Sequence, residues 1–469
     1  MLWSALEKFS VQGIQFILGI ALARLLLPSD YGLIGMLAIF IAISQWFTDS
    51  GFSTALIQKN NRTNVDFSTV FYFNVGVSVI IYIVLFTAAP LISKFYNQAE
   101  LTLLTRVLSL NIIISAFSII QNTKLTIDLD FRSIAVSNFI AVVFSGVIGI
   151  LVAYSGRGVW SLVFQSISRA VILAIILWSL SKWKPKLIFS RYSFRVLFKF
   201  GSRLLAAGMI ATVLRNIYSI MIGKFFTSAQ LGYFTRAKDF TDLTSDTITS
   251  ILSKVTFPVL AELQDDNERL VSAYRKLVRM SAFVIFPLMG LLAVIADPFI
   301  RVLLTEKWIE VVPLLQLLCI ARVLTPVSTL NMNILNVIGR SDLFLKIDVL
   351  KIPLIIGTLI ITIPFGVKAI VFGHIFSTFF SYLINTYYPS KLFNYGFAAQ
   401  MIDIGGVILS TFIMISAVYT LIHFLAYDIL KLTLGIPFGI IIYLLIARLT
   451  RSQELSELTV SLKTIIRRK

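Results

Sequence analysis

Long apolar stretches, separated by short polar ones, follow one another along nearly the whole chain. The clearest are Phe16–Leu27, Val75–Ile92, Ile134–Tyr154, Val159–Leu180, Val284–Ile295, Ile352–Ile363 and Val407–Leu425. A helix needs about 20 apolar residues to cross a bilayer's hydrocarbon core. Transmembrane barrels show shorter, alternating segments instead. Breakers and loops divide the pattern into about fourteen predicted helical spans. They lie near 9–27, 32–57, 68–93, 103–122, 133–154, 158–181, 201–226, 229–258, 281–304, 311–338, 347–364, 367–390, 401–425 and 430–448. The expected fold class is therefore all-α, a polytopic membrane protein. The span at 229–258 is the most polar of the set, and omitting it would move every later loop to the other side of the membrane.

Charge settles that count. Of 41 lysines and arginines, a fourteen-span arrangement with a cytoplasmic amino terminus puts 25 in cytoplasmic loops and tails, 6 outside and 10 within spans. Basic loops are retained on the cytoplasmic side during insertion, so both termini are expected in the cytoplasm. The net charge of +18 follows from this bias and suits contact with anionic membrane lipid. It is spread over many short loops, which argues against a nucleic-acid partner. Hydrophobic residues make up 57% of the chain and charged residues 14%, which excludes a disordered or ordinary globular class. One cysteine, Cys319, allows no internal disulfide. His374 and His423 are too few and too far apart for a metal site, and no cofactor is expected. The first apolar run ends at Arg24 and Pro28 without a small-residue cleavage site, so it reads as a retained helix.

A repeat organises the spans. Arg24-Leu25-Leu26-Leu27-Pro28-Ser29-Asp30-Tyr31-Gly32 closes the first span, and Lys224-Phe225-Phe226-Thr227-Ser228-Ala229-Gln230-Leu231-Gly232 closes the seventh. Both run basic residue, two apolar residues, polar turn, apolar-Gly. An offset of six spans preserves orientation, so the halves are expected as parallel repeats about an axis along the membrane normal. The expected division is an amino-terminal lobe 1–181, an amphipathic interfacial helix over 182–200, a second lobe 201–390, two further helices in 391–449 and a basic tail 450–469.

Ionisable groups at bilayer depth cost about 2.5–3.5 kcal/mol each on insertion scales and therefore point to function. Arg169, Arg215 and Arg322 fall at midspan, with Arg24 and Lys224 nearer the outer ends. These five are the candidate cavity cations, and for the three midspan arginines a buried structural ion pair is the competing reading. Lys254 and Lys351 lie near inner ends and can snorkel. Thr235, Asp239, Asp242, Asp246, Thr249 and Ser253 share one face of the eighth span. Asp239, Asp242 and Asp246, with Asn216, are the candidate ion-coupling and polar cavity groups. Pro287, Pro326 and Pro353 mark expected kinks.

Ala23–Gly32, Gly51–Gln58, Ile222–Phe226 with Leu231–Ala237, and Phe257–Asp266 together resemble the bacterial polysaccharide-transport family of O-antigen and lipopolysaccharide flippases, within the multidrug/oligosaccharidyl-lipid/polysaccharide superfamily. The resemblance covers most of the first 340 residues. Members often carry an aspartate where Tyr218 stands here, two residues after Asn216. The resemblance implies a monomeric transporter, not an enzyme, that moves a polyprenyl-diphosphate-linked oligosaccharide between leaflets alongside polysaccharide-assembly machinery. Arginine forks suit a diphosphate, and Gln121, Asn216, Tyr218, Asn331 and Asn333 offer hydrogen bonds to a glycan. A cation-coupled drug or metabolite antiporter of the same superfamily is the alternative, with a membrane-embedded glycan-processing enzyme behind it.

Overall fold

The computed structural model describes residues 2–49, 51–457 and 459. The side chains of 2–9, 200, 203, 204, 207, 251–255, 257 and 258 are outside that description, so the expectations for Ser253 and Lys254 fall there. Most of the expected basic tail, with Lys463, Arg467, Arg468 and Lys469, does too.

Among the described residues the regular structure is all helical. The order is α1 (Leu2–Leu25), α2 (Pro28–Asp49), α3 (Phe52–Gln58), α4 (Asn64–Tyr96), α5 (Leu101–Leu108), α6 (Leu110–Ile127), α7 (Phe131–Tyr154), α8 (Trp160–Ser181) and α9 (Arg191–Phe225). It continues with α10 (Ser228–Glu262), α11 (Asn267–Val294), α12 (Ala296–Leu304), α13 (Val311–Arg322), α14 (Thr325–Val337), α15 (Ser341–Thr362), α16 (Val367–Phe393), α17 (Phe397–His423) and α18 (Asp428–Leu449). Among the described residues, ten helical stretches are long and apolar enough to cross a membrane. The other four expected spans fall on α1, α9, α10 and α15. α1 offers only Ser10–Leu25 as an apolar stretch. The other three carry charge along their length, as with Asp342, Lys346, Asp348 and Lys351 in α15.

Four expected single spans are two helices each: 32–57 falls on α2 and α3, 103–122 on α5 and α6, 281–304 on α11 and α12, and 311–338 on α13 and α14. In the last three the backbone breaks at Ser109, at Ile295 and at Val323–Leu324. The last break has a clear cause: Pro326 lacks an amide hydrogen and sits in the first turn of α14, the one place where a helix tolerates that loss. Pro287 and Pro353, by contrast, lie inside continuous helices.

Internal contacts divide the chain into two units, Met1–Gly232 and Tyr233–Lys469. In the first, α7 packs against α8 and α1, α4 against α6, and α9 against α2, α3 and α4. In the second, α11 packs against α17, α13 and α14, α16 against α13 and α15, and α17 against α18.

The 182–200 segment is not one amphipathic helix. Lys182, at φ 50°, ends α8 in the left-handed region, Pro185 follows, and 182–190 runs without helix. Helix resumes at Arg191, where the Ser190 hydroxyl accepts from the Ser193 amide at 3.2 Å. It then continues without a break to Phe225. The non-helical stretch is fixed to the start of α4. Trp183 is buried against Phe67 and Phe71. The Lys186 amide donates to Ser68 Oγ and the Ser190 amide to Thr69 Oγ1, each at 3.0 Å. That start of α4 is itself firmly set: Thr63 and Asp66 form a reciprocal capping box, and Lys59 Nζ lies 2.7 Å from the Asp66 carboxylate.

Candidate functional site

The repeat seen in the sequence is also a repeat of backbone geometry. The Leu27 amide donates to Asp30 Oδ2 at 2.8 Å, and the Thr227 amide donates to Gln230 Oε1 at 3.2 Å. The Leu26 amide closes α1 on the Leu22 carbonyl at 2.8 Å, and the Phe226 amide closes α9 on Ile222 at 2.9 Å. Every partner is displaced by 200 positions. Within the first unit these two turns touch. Gly32 lies against the Ser228 carbonyl, and Gly232 against the Pro28 carbonyl. Only residues without a Cβ permit that approach.

The candidate cations of the first unit have different surroundings. Arg24, at the end of α1, is exposed. Its repeat counterpart Lys224 donates to the Phe95 carbonyl at 2.5 Å and lies 4.5 Å from the Phe95 ring centroid. Arg169, midway along α8, is part-buried, and Gln15 of α1 with its carboxamide oxygen turned inward accepts from Nη1 at 2.5 Å and Nη2 at 3.0 Å. That oxygen is neutral, so Arg169 keeps its net charge. Arg215 on α9 is exposed and forms no ion pair among the described residues. Asn216 beside it donates to the Thr212 carbonyl at 2.9 Å.

In the second unit, the carboxylate stripe of α10 meets a cation from α13. Arg322 Nη2 is 2.5 Å from Asp242 Oδ1, and Lys238 Nζ is 3.4 Å from Asp242 Oδ2. Arg236 lies 3.6 Å from Asp239, which stays half exposed. Asp246 is exposed. Arg322 is thus already paired, and an incoming anion must compete with Asp242 for it. Among the described residues no cluster of histidine, cysteine or carboxylates fits a metal ion.

Two of the polar groups expected to meet a glycan are fully buried instead. Gln121 is enclosed, with its flipped carboxamide donating to the Phe117 carbonyl and accepting from Trp178 Nε1. Asn331 sits in a network that the sequence did not suggest. Tyr274 donates to Asn331 Oδ1. Gln400 Nε2 reaches the same oxygen at 2.8 Å, and Tyr382 donates to Gln400 Oε1 at 2.6 Å. The adjoining Asp403 accepts from Arg275 Nε at 3.0 Å, Arg275 Nη2 at 2.8 Å and Tyr395 at 2.9 Å. Burial and this carboxylate hold the Tyr395 hydroxyl well above the usual phenol range. The network ties α11, α14, α16 and α17 together, and it is internal scaffolding rather than lining. Tyr218 is also buried.

Comparison with known proteins places this geometry. A family model described as "Polysaccharide biosynthesis protein" matches residues 21–313. The chain is 26% identical over 344 residues to the teichuronic acid biosynthesis protein TuaB of Bacillus subtilis, covering 73% of this chain and 71% of that one. It is 23% identical over 361 residues to the lipopolysaccharide biosynthesis protein WzxC of Escherichia coli, covering 76% and 73%. Among solved structures, the lipid II flippase MurJ in an inward closed conformation superposes with a TM-score of 0.78 at 15% identity, over 96% of this chain and 98% of that one. An inward-facing multidrug transporter of the MATE family superposes with a TM-score of 0.63 at 16% identity, over 86% and 94%. The chain therefore belongs to the polysaccharide biosynthesis protein family and has the fold seen in MurJ and MATE transporters.

Proposed function

We propose that this protein moves a polyprenyl-diphosphate-linked oligosaccharide from the cytoplasmic to the outer leaflet of the bacterial inner membrane, for surface polysaccharide assembly. Fourteen spans, with both termini cytoplasmic, form two six-helix lobes at 1–181 and 201–390 plus two carboxy-terminal helices. The chain acts alone by alternating access, and the prenyl tail stays in lipid. No covalent step is needed.

The observation that carries this reading is Arg215. In a family of polysaccharide-biosynthesis membrane proteins, an exposed guanidinium sits far along a spanning helix with no carboxylate partner among the described residues. An unpaired cation at such depth is costly, and a diphosphate offsets that cost with paired, charge-assisted hydrogen bonds. Arg169, held through a neutral amide, is the second anion contact. Arg24 and Lys224 stand at matching ends of the repeat and receive the diphosphate on the outer side. Arg322 joins only when Asp242 lets it go, which makes the Asp242–Arg322 pair, with Asp239 and Asp246 on the same face, the coupling element. A cation that binds Asp242 frees Arg322 for the anion.

Replacing Arg215 or Arg169 with alanine in cells that depend on this protein tests the assignment. Each variant is expected to lose surface polysaccharide while reaching normal levels in the membrane. Normal glycan display by both at normal protein levels would contradict it.

A further inference from the structure

A crevice of about 570 Å³ opens in the first unit where the non-helical 182–190 stretch meets α4 and α9. Its apolar wall is four phenylalanines: Phe73 of α4, Phe189, and Phe194 and Phe198 of α9. They are packed ring to ring, with Phe73 5.0 Å from Phe194 and Phe194 stacked 5.3 Å from Phe198. Its rim is cationic. Arg191, Arg195 and Lys199 line it, and their spacing of four puts them along one face of α9. All three are exposed, and none forms an ion pair among the described residues.

The surface around the crevice is apolar as well. Leu187 is 93% exposed and Tyr192 78%, with Ile188 and Val196 also open. Apolar residues left open in this number mark a surface that meets something apolar. Three unpaired cations among them require an anion at the same place. A protein surface of that composition would have to combine the two in register. A phospholipid with an anionic headgroup carries both in one molecule, phosphate above and acyl chain below. The site is also built in advance: Trp183, the Lys186 amide and the Ser190 amide fix the stretch that carries Phe189.

We propose that this crevice is a binding site for an anionic glycerophospholipid, with its phosphate on Arg191, Arg195 and Lys199 and one acyl chain against the four phenylalanines. The site is separate from the transport cavity and does not depend on what the cavity carries. Basic side chains at the membrane surface that strengthen binding to anionic lipid act additively, so the three together set a large selectivity.

The test uses the full-length protein, purified in detergent, titrated with phosphatidylglycerol or phosphatidylethanolamine and read by native mass spectrometry. Wild-type protein is expected to retain phosphatidylglycerol at least about tenfold more strongly. The triple variant Arg191→Gln, Arg195→Gln, Lys199→Gln is expected to lose about a hundredfold in phosphatidylglycerol affinity. Phe189→Ser, which keeps every charge, is expected to lose about tenfold. A matched control, Lys182→Gln, Lys184→Gln, Lys186→Gln, removes the same charge just outside the crevice and is expected to stay within about threefold of wild type. Inorganic phosphate at millimolar concentration is expected to leave the lipid in place. Equal retention of the two lipids by wild type overturns the proposal whatever the variants do. So does an equal loss in the control triple, displacement by inorganic phosphate, or preferential retention of undecaprenyl diphosphate over phosphatidylglycerol.

Discussion

Gly32 rests on the backbone carbonyl of Ser228 so closely that a Cβ added there would lie 1.7 Å from the oxygen. Gly232, 200 positions later, stands in the same relation to Pro28, at 1.9 Å. The first turn of α2 and the first turn of α10 thus meet backbone to backbone through symmetric glycines. Carbonyl oxygens cannot move aside as flexible side chains do. Gly32→Ala and Gly232→Ala are each expected to cost about 2 kcal/mol, in the range of overpacked cores, and to lower the detergent melting temperature. Gly76 in α4 has open space around its Cα, so Gly76→Ala is expected to be neutral or to stabilise by about 0.5–1 kcal/mol. Thermal unfolding of the three variants side by side checks the contrast.

The Asp242–Arg322 pair is part-buried, with 20% and 18% of the two side chains exposed. Removing one partner of a buried pair strands the other charge. Asp242→Asn is expected to destabilise by about 2 kcal/mol and to abolish transport. The double substitution Asp242→Asn, Arg322→Gln is expected to recover most of the stability and none of the transport. A double-mutant cycle measures the coupling, and additive losses in stability would show that the two side chains do not interact.

Asp403 is the acceptor for both Arg275 and the buried Tyr395 hydroxyl. Asp403→Leu removes that acceptor and leaves a buried donor unpaired, at a cost of about 1–3 kcal/mol. Tyr395→Phe removes the donor instead and is expected to cost less. Chemical denaturation in detergent separates the two.

Tyr395 also sets a pH limit. Burial and the Asp403 carboxylate hold its folded-state value above that of a free phenol, so its contribution is present in full below the unfolded value. It is lost as pH climbs through about 10 toward the folded value. Tyr395→Phe is expected to flatten part of the alkaline loss of stability and to leave stability near neutral pH less affected, as measured by melting temperature against pH.

Much of the fold was readable because lipid imposes one rule, that spanning segments be long, apolar and helical. The repeat was readable because a basic residue and a glycine recur at a fixed offset, and the structure adds why: Gly32 and Gly232 need the missing Cβ. The lost helix at 182–190 was not readable, because alternating basic and apolar residues also suit an extended strand of chain pinned by one buried tryptophan. The helix break at Ser109 carries no proline or glycine signal, whereas Pro298 in the first turn of α12 does mark the break at Ile295. Asn331 and Gln121 looked like glycan contacts because composition marks polarity at depth but does not say whether another polar group already answers it. For Arg322 the sequence left cavity cation and buried ion pair both open, because it does not say which carboxylate comes near. The partner lies 80 positions away on another helix, and only the packing of α10 and α13 brings Asp242 to Arg322.

The central claim is that Arg215 grips the diphosphate of a lipid-linked glycan in transit. Its most direct test is leaflet exchange of a labelled polyprenyl-diphosphate oligosaccharide in liposomes holding the purified protein. Wild type is expected to expose the label to an external probe well above protein-free liposomes, and Arg215→Ala to lose between about tenfold and a hundredfold of that rate, the worth of a charged hydrogen bond. Exchange by Arg215→Ala at the wild-type rate, with equal protein incorporated, would contradict the account.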